Sequence, residues 1–193
     1  MADAVTSSPT RREQILATAA ELFASRGFHG VSVADLGAAC GISGPALYKH
    51  FPSKDAVLAA MLVSISEELL AVGTRRSEDA DGPLVALHAL IDWHISFALA
   101  NKSLIVVQDR DWSSLPAEAR ERVRTLQRSY VALWAGRLRE IDPGLSDTEA
   151  HVRAHAAFGL LNSTPHSAFL PEEVMRAVLH DMAARALALE TAA

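Results

Sequence analysis

The sequence predicts an all-α protein with two parts, a helix-turn-helix head and a helical body, with about nine helices in total. Half of the 193 residues are hydrophobic, which is enough to bury a sizeable core. Alanine, leucine and arginine dominate, whereas strand-forming residues are sparse. Apolar residues also recur at helical spacing between capping and helix-breaking signals along most of the chain.

The head is predicted to follow a flexible tail (residues 1–9) and to occupy residues 10–52. Thr10 and Glu13 have the spacing of a capping box, which opens a first helix. Gly41 interrupts the pattern where a tight turn between two short helices needs a residue that tolerates positive φ. The head therefore contains three predicted helices, over residues 10–26, 32–40 and 43–50.

The body is predicted over residues 53–193. Three of its helices start at prolines, and Ser146 with Glu149 has the form of a second capping box. The polar stretch TRRSEDADGP (74–83) reads as a loop. The predicted helices cover residues 53–72, 83–100, 104–110, 116–140, 146–163 and the chain from 171 onward.

The distribution of charge limits where a nucleic acid could bind. The net charge is −5, but residues 1–54 hold five Lys or Arg and four Asp or Glu, a balance of +1. The remainder holds 13 basic and 19 acidic residues, a balance of −6. Because an acidic body would repel phosphate, DNA binding is expected only in the head.

The expected location is the cytoplasm. Cys40 is the single cysteine, which excludes an intrachain disulfide and fits a reducing compartment. We interpret it as a core residue, not a redox sensor. The first residues lack the apolar core of a signal peptide, and no uninterrupted apolar run reaches about 18 residues.

The stretch GISGPALYKHFPSK (41–54) carries the strongest functional signal. The third predicted helix starts with the small residues Gly44 and Pro45 and then presents Tyr48, Lys49 and His50. A slim leading end, hydrogen-bonding groups and nearby cations are the features of a recognition helix. A surface helix with ordinary solvated groups is the alternative, and it explains any one of these residues taken alone.

The first 58 residues resemble the DNA-binding domain of the TetR family of bacterial regulators. The resemblance rests on AAELFASRGF, SVADLGAACGIS and LYKHFPSK. It implies a three-helix head joined through a long fourth helix to a helical body that dimerises and holds a small ligand. Several relatives carry a longer polar side chain where this chain has Gly44, so specificity here is expected to rely on thymine-methyl contacts and DNA shape as well.

The resemblance also implies roles for individual residues. Ser32 and Val33 would start the supporting helix, with Ser32 near phosphate. Tyr48 and His50 would contact phosphate and base edges, and Lys49 would face the backbone. A further cation, Lys54, would hold a phosphate at a helix N-terminus. The residues expected to enter the major groove first are Ser43, Gly44, Pro45 and Ala46.

A ligand pocket in the body is expected from its large rings, which come from several helices, together with a few polar groups. Ordinary core packing is the alternative for each ring. The predicted pocket residues are Trp93, Phe97, Gln108, Trp112, Tyr130, Trp134, Phe158 and Asn162. Further polar candidates are His88, His94, Asp109, Arg110 and Thr164.

A dimer interface is expected on the last two helices, as the resemblance implies, with intramolecular packing as the alternative. The predicted interface residues are His151, His155, Gly159, Val174, Val178, Met182 and Arg185. His151 and His155 share a helix face at i, i+4 and could bind a metal, but no third ligand is evident. We therefore expect neither a metal nor a cofactor.

The predicted function is a dimeric transcriptional regulator, a repressor released from a palindromic operator by a hydrophobic small molecule or an acyl thioester. The thioester is suggested by the six arginines of residues 120–139, for which a solvated face is the alternative. Enzymatic activity is not expected, since the sequence contains no Gly-x-Ser-x-Gly motif, phosphate loop, paired-cysteine metal site or His-Glu-x-x-His motif. A helical binding or interaction module without DNA binding is the remaining alternative.

Overall fold

The chain folds as a bundle of α-helices in a computed structural model that describes residues 9–189. Within that range there are ten α-helices, one of them a single turn, and no strand, so the predicted all-α fold is confirmed. The helices are α1 (Arg11–Arg26), α2 (Val33–Ala39), α3 (Gly44–Tyr48), α4 (Lys54–Glu78), α5 (Pro83–Ala100), α6 (Lys102–Asp111), α7 (Ala117–Ile141), α8 (Asp147–Leu161), α9 (Thr164–Ser167) and α10 (Glu172–Ala186). A 3-10 turn (Trp112–Ser114) links α6 to α7.

Most helix starts follow the capping signals in the sequence. The capping box of Thr10 and Glu13 forms, and Ser32 makes a second one with Asp35. The predicted box at Ser146 is only half formed. Its hydroxyl accepts the amide of Glu149, whose carboxylate instead accepts Arg153 at 2.8 Å.

The fourth helix is longer than predicted. It continues through Glu78, so the loop expected over 74–83 shrinks to the four residues before Pro83. The polar residues after Gly73 do not break the helix, because Arg75, Arg76 and Glu78 face solvent and the buried Ser77 hydroxyl accepts a hydrogen bond from Arg137 Nε at 2.8 Å. An alanine Cβ at Gly73 would lie 2.6 Å from the Tyr130 ring, so the glycine permits close packing of α4 on α7.

The hydrophobic core has two parts. One fills the body between α5, α7, α8 and α10 around the fully buried Trp134. The other fills the head between α1, α2, α3 and the start of α4, around Phe23. Val107 of α6, Leu115 of the link that follows it and Val123 of α7 complete the head core. The head is therefore packed on α6 and α7 as well as on α4.

Two helices of the described region, α4 and α5, are long and apolar enough to cross a membrane by length and composition alone. Such helices are weak evidence for membrane insertion, since the core helices of soluble proteins meet the same criterion. Here Leu58, Leu62, Leu87 and Leu90 of these two helices are fully buried in the protein's own core.

Candidate DNA-binding surface and ligand cavity

The turn between α2 and α3 depends on two glycines. Gly41 adopts φ +66°, which few residues other than glycine tolerate. Gly37 lies inside α2, and a Cβ there would come within 2.9 Å of the Ile42 carbonyl oxygen and 3.2 Å of the Gly44 nitrogen. The first turn of α3 therefore packs directly on the backbone of α2, which fixes the angle between the two helices.

The outer surface of the head carries most of the predicted DNA-binding residues. Ser32, Ser43, Pro45, Tyr48, Lys49 and His50 are exposed, and Val33, Gly44 and Ala46 are partly buried. Tyr48 is 53% exposed, and a Cβ at Gly44 would meet nothing within 4 Å. Helix α3 ends at Tyr48, so Lys49 and His50 lie in the turn that follows it. The surface is open at Gly44, and its contacts with DNA stay a prediction.

Ser32 already makes hydrogen bonds within the protein at the start of α2. Its hydroxyl and its amide both donate to the Asp35 carboxylate, at 2.5 and 2.8 Å. These hydrogen bonds lower the pKa of the Asp35 carboxyl, with the side-chain bond contributing most. A phosphate near Ser32 would therefore have to tolerate a carboxylate beside it.

Lys54 has a different environment from the one expected. Its ammonium donates to the carbonyls of Phe28 and Val31, both at 2.7 Å, and lies 4.3 Å from the centroid of the Phe28 ring. The side chain is half-buried and turned towards the loop between α1 and α2. This geometry favours a structural brace for the head over a free phosphate ligand.

The body contains a cavity of about 220 Å³ between α4, α5, α6, α7 and α8. Five predicted pocket residues line it, namely Phe97, Gln108, Tyr130, Phe158 and Asn162. The remaining lining residues are Ile65, Ser66, Leu69, His94, Leu104, Ile105, Asp109, Leu126, Gln127, Val131 and His155.

The three predicted tryptophans do not line this cavity. Trp93 donates its indole N–H to the Leu69 carbonyl at 3.0 Å and lies under Arg76. Trp134 is fully buried, and its ring contacts Phe158 from within the core. Trp112 lines a separate shallow depression next to the cavity.

Sequence reasoning missed the small and aliphatic part of the lining. Ile65, Ser66 and Leu69 lie on α4, and Leu104 and Ile105 lie in the first turn of α6. Their spacing along each helix is that of ordinary core residues, so the sequence offers no signal that separates them from the core. His155, predicted for the dimer interface, contributes to the cavity lining from its exposed position on α8.

One end of the cavity is built from three nearly parallel rings. His94, Tyr130 and Phe158 have ring centroids 4.9 to 5.8 Å apart and planes within 10 to 16° of each other. His94 Nε2 lies 3.1 Å from Asn162 Oδ1. Burial lowers the pKa of His94 to about 4 and raises the pKa of Tyr130 well above its usual value. Both groups are therefore neutral at physiological pH.

Helix α6 connects the cavity to the head. Immediately after Gln108 and Asp109, the Arg110 guanidinium donates to the Ala24 carbonyl at 2.9 Å and to the Phe23 carbonyl. The Asp111 carboxylate pairs with Arg110 at 3.0 Å and accepts the Phe28 amide at 3.3 Å. Adjacent residues of one helix thus contact the cavity and hold the C-terminal end of α1.

The predicted dimer-interface residues lie on α8 and α10, and all of them are exposed except His151, which is partly buried. Val174, Val178 and Met182 are each 40 to 49% exposed and share one face of α10. A Cβ at Gly159 of α8 would meet nothing within 4 Å. Phe169 and Leu170, in the loop before α10, are also exposed and were not predicted.

The paired histidines of α8 have no metal-binding partners in the described part of the chain. There, no group of three or more His, Cys, Asp or Glu side chains could hold a metal ion. His151 Nδ1 instead lies 2.8 Å from the Asp147 carbonyl oxygen.

Sequence comparison covers both parts of the chain. A family model described as bacterial regulatory proteins, tetR family, matches residues 15–61. A second model, described as tetracyclin repressor-like, C-terminal domain, matches residues 81–166. The transcriptional repressor KstR2 of Rhodococcus jostii (strain RHA1) is 29% identical over 168 residues, covering 84% of this chain and 80% of that protein. The nucleoid occlusion factor SlmA of Aliivibrio fischeri (strain MJ11) is 33% identical over 97 residues, which span only half the length of either protein.

Two solved structures are similar over nearly the whole chain. PfmR from Thermus thermophilus, a TetR family transcriptional regulator, is 30% identical with a TM-score of 0.78, covering 93% of this chain and 97% of that one. A TetR-family transcriptional regulator from Bordetella parapertussis 12822 is 25% identical with a TM-score of 0.80, covering 94% of each chain.

Proposed function

The chain belongs to the tetR family of bacterial regulatory proteins, and we propose that this DNA-binding transcriptional regulator is a ligand-responsive repressor. In this proposal it binds a palindromic operator as a homodimer through the surface around α3. A small molecule that binds in the cavity of the body releases the protein from the operator. The similarity to KstR2, which is named a transcriptional repressor, supports the assigned direction of regulation.

We propose the ligand response because two helices, α4 and α6, both line the cavity and hold the head. Helix α4 contributes Ile65, Ser66 and Leu69 to the cavity and braces the head through Lys54 at its first position. Helix α6 contributes its middle residues to the cavity and clamps α1 through Arg110. A ligand that displaces either helix must therefore strain contacts inside the head.

The proposed mechanism is a shift between two populations of the dimer. A two-fold protein reads two half-sites about 34 Å apart, or a multiple of that distance, so its recognition helices must keep this spacing. A ligand that binds more tightly to a conformation with a different spacing lowers the population that fits DNA. Small shifts of α4 and α6 at the cavity are amplified because each helix extends from the cavity to the head.

The proposed dimer uses the exposed apolar face of α8 and α10. Val174, Val178 and Met182 would pack against the same face of a second copy, and Gly159 would let the two helices approach closely. The exposed Phe169 lies beside this face in the chain and would extend the interface. Val174, Val178 and Met182 recur at i, i+4 and i+8, so they form one apolar stripe along α10 and are not scattered exposed residues.

The proposal places the protein in the cytoplasm, where its DNA lies, and assigns it no catalytic activity. The competing function is a helical sensor or interaction module without DNA binding. An interaction module would not explain the open surface at Gly44. It would also not explain why Tyr48, Lys49 and His50 are exposed next to each other at the end of α3 and in the turn after it.

The DNA-binding part is tested by selecting bound sequences from a pool of random duplexes. Wild-type protein is expected to enrich a palindrome, and Tyr48→Ala to fail to enrich it while keeping its helical circular dichroism. Tyr48 is exposed, so its removal costs little folding energy. A folded wild-type protein that enriches no sequence would contradict the proposal and favour the interaction module.

A further inference from the structure

One side of the cavity is formed by polar residues of α6 and α7. Among the described residues, only Gln108, Asp109 and Gln127 line both the cavity and the shallow depression beside it. The two glutamines are partly buried, and Asp109 is exposed. These three side chains, called the opening from here on, therefore lie where the cavity meets solvent.

The opening presents hydrogen-bond acceptors and one negative charge. Among residues 9–189, the side chains of Gln108, Asp109 and Gln127 make no hydrogen bond or ion pair within the protein. A carboxylate only accepts hydrogen bonds, and a carboxamide accepts them through its oxygen. A ligand group that donates hydrogen bonds and carries a positive charge therefore complements the opening best.

The lining selects against anions. None of the described lining residues is Lys or Arg, and the single acid is Asp109. Burial lowers the pKa of His94 to about 4, so this lining residue supplies no positive charge at neutral pH. A carboxylate or phosphate in the cavity would lose its hydration without gaining a counter-ion.

The arginines of α7 that surround Gln127 in the sequence do not supply that counter-ion, because each already has an acidic partner. The pairs are Arg122 with Glu67 at 2.8 Å, Arg124 with Glu121 at 3.7 Å, and Arg128 with Glu121. The Arg124 guanidinium also lies 5.7 Å from the ring centroid of Trp112, which lines the depression. The acyl thioester that the arginine-rich helix suggested therefore has no unpaired cation for its charged groups at the opening.

The interior of the cavity suits an apolar group. Its aliphatic and aromatic lining includes Leu69, Phe97, Leu104, Leu126 and Val131. Polar groups of the interior have partners inside the protein, since the Ser66 hydroxyl donates to the Leu62 carbonyl at 2.7 Å and His94 Nε2 lies 3.1 Å from Asn162 Oδ1. An apolar chain placed here gains affinity in proportion to the area it removes from water, while a charged head at the opening keeps part of its hydration.

We propose that the cavity binds an amphipathic amine, with its apolar chain in the interior and its ammonium group at the opening beside the Asp109 carboxylate. The inference rests on the proposed function, since the same cavity is taken as the effector site. It narrows the effector from any small molecule to a cationic amphiphile and excludes the acyl thioester.

The test compares three probes that share one eight-carbon chain and differ in charge. They are octylamine, 1-octanol and octanoate, titrated by calorimetry into the full chain without DNA, at low salt and pH 8. At this pH an alkylamine is protonated and a carboxylate is ionised, while exposed imidazoles such as those of histidines at the cavity edge are neutral. Because Asp109 is exposed and its charge is screened, we expect octylammonium to bind about three- to fivefold more tightly than 1-octanol. We expect octanoate to bind at least about tenfold more weakly than octylammonium.

Asp109→Asn locates the effect, because it removes the single negative charge of the lining from an exposed side chain. The variant is expected to lower the affinity for octylammonium about three- to fivefold, to raise that for octanoate and to leave that for 1-octanol unchanged. A general loosening of the fold would not change two affinities in opposite directions. Asp81→Asn is the matched control, since Asp81 is exposed in the link between α4 and α5, and it should change none of the three affinities.

Absence of octylammonium binding to the folded protein, or 1-octanol or octanoate binding as tightly as octylammonium, would overturn the inference. Unchanged affinities in Asp109→Asn would also overturn it. The wild-type comparison needs no variant, so a poorly folded Asp109→Asn protein would not obscure it. The duplex selection uses no ligand, so failure of the probes and failure of the proposed DNA-binding function are separate results.

Discussion

Lys54 braces the head from the first position of α4, and Lys54→Met tests this role. The ammonium donates to two backbone carbonyls of the loop after α1, those of Phe28 and Val31, at 2.7 Å each. A hydrogen bond to a charged group contributes about 1.5–3 kcal/mol. Allowing for the partial exposure of Lys54, we expect Lys54→Met to lower the free energy of unfolding by about 2–3 kcal/mol.

Lys49→Met is the matched control. Lys49 is exposed in the turn after α3 and has no side-chain hydrogen bond or ion pair among residues 9–189. Its replacement is expected to change the free energy of unfolding by less than about 0.5 kcal/mol. If Lys49 contacts phosphate, the same variant lowers the salt dependence of DNA binding by about one counter-ion per half-site.

The assays are urea unfolding followed by circular dichroism, and DNA affinity measured by fluorescence anisotropy at several salt concentrations. The structure predicts that Lys54→Met is destabilised while the slope of log affinity against log salt stays at the wild-type value. A Lys54→Met protein as stable as wild type, with a reduced salt slope, would refute the brace and restore Lys54 as a phosphate ligand.

Four further predictions concern the body. Gly73→Ala places a methyl group 2.6 Å from the Tyr130 ring and should cost about 1–3 kcal/mol in urea unfolding. Gly136→Ala, where a Cβ meets nothing within 4 Å, should instead stabilise the protein by about 0.5–1 kcal/mol. A Cβ at Gly159 also meets nothing within the single chain, so Gly159→Ala should affect only the dimer. A weaker dimer in sedimentation analysis, compared with Gly136→Ala as the control, would locate the interface at Gly159. A dimer as strong as that of Gly136→Ala would exclude Gly159 from the interface. Burial lowers the pKa of His94 to about 4, so the unfolded chain binds more protons between pH 4 and 6.5. The contribution of neutral His94 to the free energy of unfolding is therefore complete above pH 6.5 and falls by roughly 3 kcal/mol towards pH 4. In urea unfolding at several pH values, His94→Phe should abolish this loss. If the loss persists in that variant, His94 is not its source.

The head could be predicted closely because its signals are local. The hydroxyls of Thr10 and Ser43 cap the helices that follow them, and Gly41 makes the turn with positive φ. Each of these depends on residues within a few positions in the chain. The environment of Lys54 could not be predicted, because its carbonyl partners lie 23 and 26 residues away and a backbone acceptor leaves no mark in the sequence.

The cavity could be predicted in kind but not in detail. Phe158 and Trp134 are both aromatic residues at helical spacing, yet one lines the cavity and the other lies in the core. The difference depends on how α7 and α8 rotate against each other, which is decided by packing across the whole body. The end of α4 was also missed, since polar residues that look like a loop can equally form the exposed last turns of a helix.

The central claim is a two-fold regulator whose recognition helices read half-sites at a fixed spacing. It is tested most directly by comparing affinity for the selected palindrome with affinity for the same duplex after the half-sites are moved apart by about five base pairs, half a helical turn. The proposed dimer predicts a loss of at least about a hundredfold, because the second head then faces the wrong side of the duplex. Equal affinity for the two duplexes would contradict it.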